Sequence, residues 1–276
     1  MKSTWPKQQF AGYKPRRLQL EDDGAPPADD WLFQTGLARC GTSALSDLVS
    51  AHPQSCVVNE GYFWQYTETL ADDIHYVGPY EPGIHHFRIK ERMGIAGRPY
   101  PASRVRAFFE GIRQMIAPEA LIFGDKAGWL YHTSLAQLQI VFPACRFLHI
   151  TRNEWDHTAS LMNWGGWLQT LRGRLGHEPS AVELAEHSVR HARTIKQEPG
   201  YQWLMLNAEA ENIHHVSYED LAENGKATIE GILDWLGLDA GTYDWTALDR
   251  TRYATTTGKW QQVPELVRLR KEEEGQ

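Results

Sequence analysis

The sequence predicts an α/β protein of three layers, a central parallel sheet flanked by helices, and three observations carry that prediction. Short apolar runs recur along the chain, each run leads into a small polar cluster, and a helical pattern follows each cluster. Strands alternating with helices in this way form a parallel sheet covered on both faces. In such sheets ligands bind beyond the carboxyl ends of the strands. A chain of 276 residues can bury one substantial core, so a single domain over 1–276 is expected.

Residues 1–30, rich in Pro, Asp, Lys and Gln, read as an irregular arm, with Glu21 to Asp30 a solvated turn. The first strand starts at Trp31 and runs into Gly36-Leu-Ala-Arg39-Cys40-Gly41-Thr42-Ser43. Leu45, Leu48, Val49 and His52 then fall at i, i+3, i+4 and i+7, the spacing of an amphipathic helix. Strand, glycine-bounded loop and helix are the context in which backbone N–H groups cradle phosphate, so the fold is of the P-loop type. Gly36 and Gly41 have the P-loop spacing, and Ser43 stands where a magnesium-binding hydroxyl would be. The P-loop lysine is missing: Thr42 follows Gly41, and the loop's cation is Arg39. An anion is expected here, bound without the usual ATP–magnesium arrangement.

Residues 62–120 read as an insertion on the acceptor side, with a short strand around His86 to Lys90. A helix follows, carrying Val105, Phe108, Phe109, Ile112, Met115 and Ile116. Three more strands follow. Leu121 to Phe123 leads into Gly124-Asp125-Lys126, Arg146 to Ile150 into Thr151-Arg152-Asn153, and Asn212 to Val216 into Ser217-Tyr218-Glu219. The last long helix carries Ile229, Ile232, Leu233 and Leu236 and ends at Gly237. The polar residues after these strands should converge near the Gly36–Ser43 loop.

Composition narrows the function. No apolar run approaches the roughly 18 residues of a membrane span, and the polar, proline-interrupted start is not that of a secretory signal. Three cysteines (Cys40, Cys56 and Cys145) fit neither a disulfide framework nor a zinc spacing, so a cytoplasmic, reduced protein is expected. A net charge of −7 without a long basic stripe argues against nucleic acid as a partner. No metal is expected: His187 and His191 lack a third ligand and read as surface residues, and the adjacent pairs His85-His86 and His214-His215 would point to opposite faces of a strand. The run Arg268 to Glu274 reads as a solvated helix end.

Ser160 lies eight residues after Arg152, one helical face away from the strand end, and the two could hold a second phosphate. Taken alone, the pair reads more simply as a strand-end arginine paired with a surface carboxylate. The series GLARCGTSAL, FGDKAGW, FPACRFLHITRNEWDHTASL, HVSYEDL and an LGL-terminated helix, in that order, resembles the sulfotransferases that use 3′-phosphoadenosine 5′-phosphosulfate (PAPS), over about residues 31–238. The resemblance implies that Arg39, Gly41, Thr42 and Ser43, with the backbone of Cys40, bind the 5′-phosphosulfate. It implies Arg152 and Ser160 at the 3′-phosphate, Tyr218 at adenine, and a closing C-terminal loop at Thr257-Gly258-Lys259-Trp260. Where many cytosolic members place an adenine-stacking tryptophan this chain has Ala44, and where they place a catalytic histidine it has Gly128. Lys126 would still stabilise developing charge together with Arg39. Glu60, in HPQSCVVNEGYF, matches the glutamate base of the bacterial and heparan-type branch, with Asp125 as the alternative base and a surface turn as the plain reading of Glu60.

The function expected is sulfuryl transfer from PAPS to a hydroxyl or amine acceptor by in-line displacement, with a carboxylate base and no metal. The acceptor could be a small molecule, a carbohydrate or a peptide. Tyr62, Phe63, Trp64, Trp164 and Trp167 would line its pocket or simply pack in the core. A P-loop kinase or NTPase, or a non-catalytic nucleotide-binding protein, is the rival reading.

Overall fold

In the computed structural model, which describes residues 20–21, 23–24, 31–59, 61, 63, 100–126, 135–251 and 257–275, five parallel strands form the central sheet. They are β1 (Trp31–Gly36), β2 (Ser55–Asn59), β3 (Ile122–Lys126), β4 (Arg146–Thr151) and β5 (Ile213–Ser217), in the spatial order β2-β3-β1-β4-β5. After β1 the chain builds one side of the sheet with β2 and β3, then crosses to the other with β4 and β5. The loops leaving β1 and β4 therefore diverge, and a crevice opens between them. β1 is buried at all six positions, as a central strand of a parallel sheet must be.

Alternation along the strands assigns the two helical layers. Trp31 and Phe33 point to one face, where their rings meet Phe109 of α2 (Ala102–Ile116) at 4.9 and 6.5 Å, and Phe142, just beyond α3 (Leu135–Val141), at 5.3 and 5.6 Å. Phe147 of β4 continues this face, 5.5 Å from Trp203 of α7 (Pro199–Leu206). Gln34 points the other way, under α1 (Thr42–Val49), where its Nε2 donates to Thr42 O at 2.6 Å and its Oε1 accepts from Ser46 at 3.2 Å. On the same face His214 stacks on Trp235 of α8 (Tyr218–Leu236), 5.1 Å away. The α/β three-layer expectation is met, with α1 and α8 on one side and α2, α3 and α7 on the other. None of the helices among the described residues is long and apolar enough to cross a membrane.

Three further helices, α4 (Glu154–Met162), α5 (Gly165–Leu175) and α6 (Ala181–Ile195), follow β4 before the chain reaches α7. The C-terminal helix α10 (Pro264–Glu273) comes after the short α9 (Thr246–Arg250). It packs back on this group through a small cluster of its own: Leu266 with Ala159, Ala185 and Val189.

The arm before β1 departs from its expected irregularity. Leu20–Glu21 pairs in parallel with Tyr100–Pro101, and Asp23 accepts hydrogen bonds from Ser103 and from Arg106 Nη2 (3.3 Å). Arg106 is 5% exposed, and a buried guanidinium needs a paired carboxylate, so one acid of the presumed solvated turn is drawn onto α2. The short strand at His86 to Lys90 lies outside the described residues. Met115 and Ile116, expected on the apolar stripe of α2, stand exposed in its last turn.

Burial holds two histidines neutral. His149 of β4, which shares a contact at 3.0 Å with His215 across the sheet, is pushed down to about 3 by burial and by that neighbour. His157 of α4 is pushed down to about 4, mainly by burial. In the unfolded chain both would titrate near their ordinary value of 6.5, so between about pH 6.5 and 4 the unfolded state binds more protons. Stability is therefore greatest above pH 6.5 and falls on acidification, by up to about 1.4 kcal/mol per pH unit for each histidine. Urea unfolding midpoints at pH 7.5, 6.5 and 5.5 test this; a midpoint that does not fall between 6.5 and 5.5 would contradict it.

Candidate active site

The site begins where β1 stops. Gly36 is required there because any larger residue would collide: a Cβ would lie 2.5 Å from Ile150 Cγ2 and 2.6 Å from Thr42 Cγ2. The backbone then turns through Arg39, whose φ of 73° is the one positive value at a non-glycine among the described residues. Such a conformation costs about 1–2 kcal/mol in an L-residue and is held only by its surroundings. Two neighbours hold it: His157 Nε2 donates to Ala38 O at 2.8 Å, and Arg152 Nη1 donates to Arg39 O at 3.0 Å. Gly41 follows at φ 89° as the N-cap of α1, with no side-chain cap. The first amides of α1 are thus left for an anion, with the positive end of the helix dipole behind them.

From β4 the chain delivers the facing wall. Asn153 caps α4, its side chain accepting from the amides of Trp155 and Asp156, and this cap aims the helix along the crevice. Arg152, just before it, lies over the ring of Tyr218 with 4.1 Å from guanidinium carbon to ring centroid. Arg39 Nε reaches across to Ser160 Oγ at 3.4 Å. The third wall is C-terminal: the Asp156 carboxylate accepts from Gly258 N at 2.7 Å and Trp260 N at 3.3 Å, which brings Lys259 to the rim. These elements enclose a cavity of about 730 Å3 lined by Arg39, Gly41, Thr42, Ser43, Arg152, Asp156, Ser160, Tyr218 and Lys259, among others.

The expected convergence can be followed residue by residue. Arg39, Gly41, Thr42, Ser43, Arg152, Ser160, Tyr218 and Lys259 line one cavity. Lys126, at the end of β3, is 5% exposed and donates to Ser43 Oγ at 3.2 Å, so it stands behind the loop. Cys40 does not line the cavity; its amide closes a turn on Leu37 O at 3.0 Å, and burial pushes its thiol up to about 12. Ala44 does line the cavity, where many cytosolic sulfotransferases have tryptophan. The Arg152 guanidinium lies on the Tyr218 ring, which serves as a platform for the arginine.

Asp125 is fully buried, and its Oδ1 accepts the amide of Gly61 at 2.9 Å. It therefore holds the chain leaving β2 beside the end of β3. Glu60, Tyr62, Trp64 and Gly128 lie outside the described residues, as does most of 62–120. Of the aromatics expected near an acceptor, Phe63 packs on Phe109 at 6.0 Å, while Trp167 stacks on His191 at 4.3 Å and donates to Ser188 at 2.8 Å. Both are packing residues, and His191, half-buried on α6, lends Trp167 one face of its ring. Among the described residues no group of three or more acidic, histidine or cysteine side chains could hold a metal.

Asp156 and His157 were not singled out from sequence. Both lie inside the Arg152-to-Ser160 interval, but nothing in their spacing says which loop each would meet.

The sulfotransferase family model matches residues 32–242, which is most of the chain and includes every cavity residue named above except Lys259. The chain belongs to the sulfotransferase family. Among solved structures, the sulfotransferase domain of the olefin synthase from Synechococcus PCC 7002 aligns over 93% of this chain and 98% of that one, with TM-score 0.52 and 16% identity. The sulfotransferase domain of the curacin biosynthetic pathway aligns over 90% and 99%, with TM-score 0.51 and 14% identity. A sulfotransferase from Alicyclobacillus acidocaldarius aligns over 77% and 82%, with TM-score 0.46 and 18% identity. Identities this low speak to the fold alone, and the first two carry that likeness. No curated protein matches the sequence.

In this sulfotransferase the close approach at Gly36 couples strand to loop. Gly36→Ala should force Ile150 and the first turn of α1 apart and destabilise the protein by about 1–3 kcal/mol, measurable by urea unfolding. An unchanged midpoint would show that the loop can shift without cost.

Proposed function

We propose that this sulfotransferase takes PAPS as donor and transfers its sulfuryl group to a hydroxyl or amine acceptor by in-line displacement. The observation that carries the reading is the presence of two anion-binding corners in one cavity. One is the uncapped start of α1 with Arg39 and Ser43; the other is Arg152 with Ser160. A nucleotide with phosphate groups at both ends of its ribose fits that pair, whereas a linear triphosphate needs only the first. The donor supplies an activated sulfuryl group whose departure leaves charge on the 5′-phosphate.

The residues present fit that chemistry. The α1 amides, Thr42 and Ser43 would bind the 5′-phosphosulfate, and Arg152 and Ser160 the 3′-phosphate, with Lys259 closing from the C-terminal side. Tyr218 and Ala44 border the space left for adenine. Lys126 and Arg39 supply positive charge where negative charge develops in the transition state. The Lys126 ammonium sits on Ser43 Oγ, the place where a P-loop NTPase holds its magnesium, and this favours the sulfuryl reading over the kinase one.

For the base we propose Glu60. Asp125, which is fully buried and accepts the Gly61 amide on Oδ1, is the alternative. The acceptor is a small molecule, a carbohydrate or a peptide. The three free cysteines suit a reducing compartment such as the cytoplasm.

Two experiments test this function. Purified protein incubated with labelled PAPS and a panel of hydroxyl and amine acceptors should release 3′-phosphoadenosine 5′-phosphate (PAP), in EDTA as well as in magnesium. ATP turnover dependent on magnesium, with no binding of PAPS or PAP, would overturn it. Glu60→Gln should lower turnover by about 10²–10⁴-fold while leaving PAP affinity within twofold of the unaltered protein. Full transfer activity in that variant would remove Glu60 as the base.

A further inference from the structure

The cavity is bounded on opposite sides by two loops that share no secondary structure, the β1–α1 loop and the segment 257–262. Adjacent residues of α4 fasten both. Successive side chains on a helix diverge by about 100°, so neighbours can serve two different loops. His157 turns towards Ala38 and Asp156 towards Gly258 and Trp260. Ser160, one turn on, faces the cavity between them.

We infer that Asp156 and His157 are positioning residues, a two-sided clasp that sets the width of the donor cavity by fixing the β1–α1 loop on one side and the Lys259 loop on the other. This inference rests on the reading that the cavity takes PAPS.

The His157 arm is not explained by core filling. The side chain is 1% exposed, and its Nδ1 has no hydrogen-bond partner among the described residues. A leucine would fill comparable space without burying that nitrogen, so the polar return on the histidine is its bond to Ala38 O. Because burial keeps the ring neutral and a carbonyl only accepts, the proton sits on Nε2. Ala38 itself is exposed. Losing the bond therefore releases a surface loop and leaves the packing of the sheet in place. The freed residue precedes Arg39, whose left-handed backbone depends on being held.

The Asp156 arm has the form of a cap. Gly258, at φ 73°, leads the 3-10 turn Lys259–Gln262, which has no side-chain cap of its own. The carboxylate takes the amides on both sides of Lys259, fixing that lysine's backbone while its side chain stays available to the cavity. The Trp260 ring then packs on Trp155 at 6.0 Å and under Arg270 at 4.5 Å.

Hydrogen–deuterium exchange and PAP titration calorimetry on His157→Leu, His157→Gln and Asp156→Asn test the clasp. Exchange should quicken at residues 38–44 in His157→Leu and at 257–262 in Asp156→Asn, each without spread to the sheet. The Kd for PAP should rise about five- to tenfold in each, as expected for one lost hydrogen bond to a positioned loop. Melting temperatures should stay within about 4 °C of the unaltered protein. His157→Gln, whose Nε2 can reach the same carbonyl, should bind PAP within about twofold of the unaltered protein.

Lowered melting temperature with unchanged PAP affinity would reduce both residues to structural roles and overturn the clasp. Quickened exchange throughout the sheet would do the same. If the unaltered protein fails to bind PAP, the donor reading falls, while the exchange experiment still decides whether α4 fastens the two loops. Should His157→Leu fail to fold, Asp156→Asn and His157→Gln carry the test.

Discussion

The left-handed turn at Arg39 is the constraint on which the rest of the site depends. It lets the chain leave a fully buried strand and enter α1 with the first amides of that helix uncapped. An L-residue keeps this conformation only under restraint, and here the restraint comes from another strand. The carbonyls of Ala38 and Arg39 accept from His157 and Arg152, which stand just inside α4 and at the end of β4. Gln34 secures the same junction from below by holding Thr42 O. The anion loop is thus a joint product of two strands that are neighbours in the sheet but more than a hundred residues apart in sequence.

That dependence separates what could be read from the sequence and what could not. Apolar runs and turn residues made the parallel α/β class and the strands starting near Trp31, Leu121, Arg146 and Asn212 readable, whereas the spatial order of the five strands follows from long-range pairing that local pattern does not carry. The α2 helix was readable down to its buried positions Val105, Phe109 and Ile112. Helical periodicity put Arg152 and Ser160 near one another, but only the family resemblance gave the pair a phosphate-binding meaning. The loop cation Arg39 was readable because the usual lysine was missing beside it.

Other features depend on contacts between distant segments, which periodicity does not report. Asp156 and His157 sit between two recognised residues, yet their partners come from residues 38 and 258–260. Asp23 looked like one acid among several in a polar turn until Arg106 was found buried nearby. Trp167 and Phe63 carried the same aromatic signal whether they lined a pocket or packed in the core, and packing claimed both. Tyr218 looked like a base-contacting ring and is also the platform under Arg152. Its guanidinium is oriented and partly stripped of water before any ligand arrives, so little rotamer entropy remains to be lost on binding.

The cations of this cleft belong to a chain whose formal net charge is −7. An anionic nucleotide is therefore repelled by the molecule as a whole and attracted by one small part of it. Beyond a Debye length, about 8 Å at physiological ionic strength, neither force reaches far. Inside that distance, Arg39, Arg152, Lys259 and the dipole of α1 dominate. If the cavity takes the proposed donor, the cleft would act as a short-range trap set in a repulsive shell and would favour anions that fit its geometry over anions in general. A basic patch open to solvent would gather polyphosphates and nucleic acid of every kind; a cationic crevice in an acidic protein admits the ligand shaped to reach its floor.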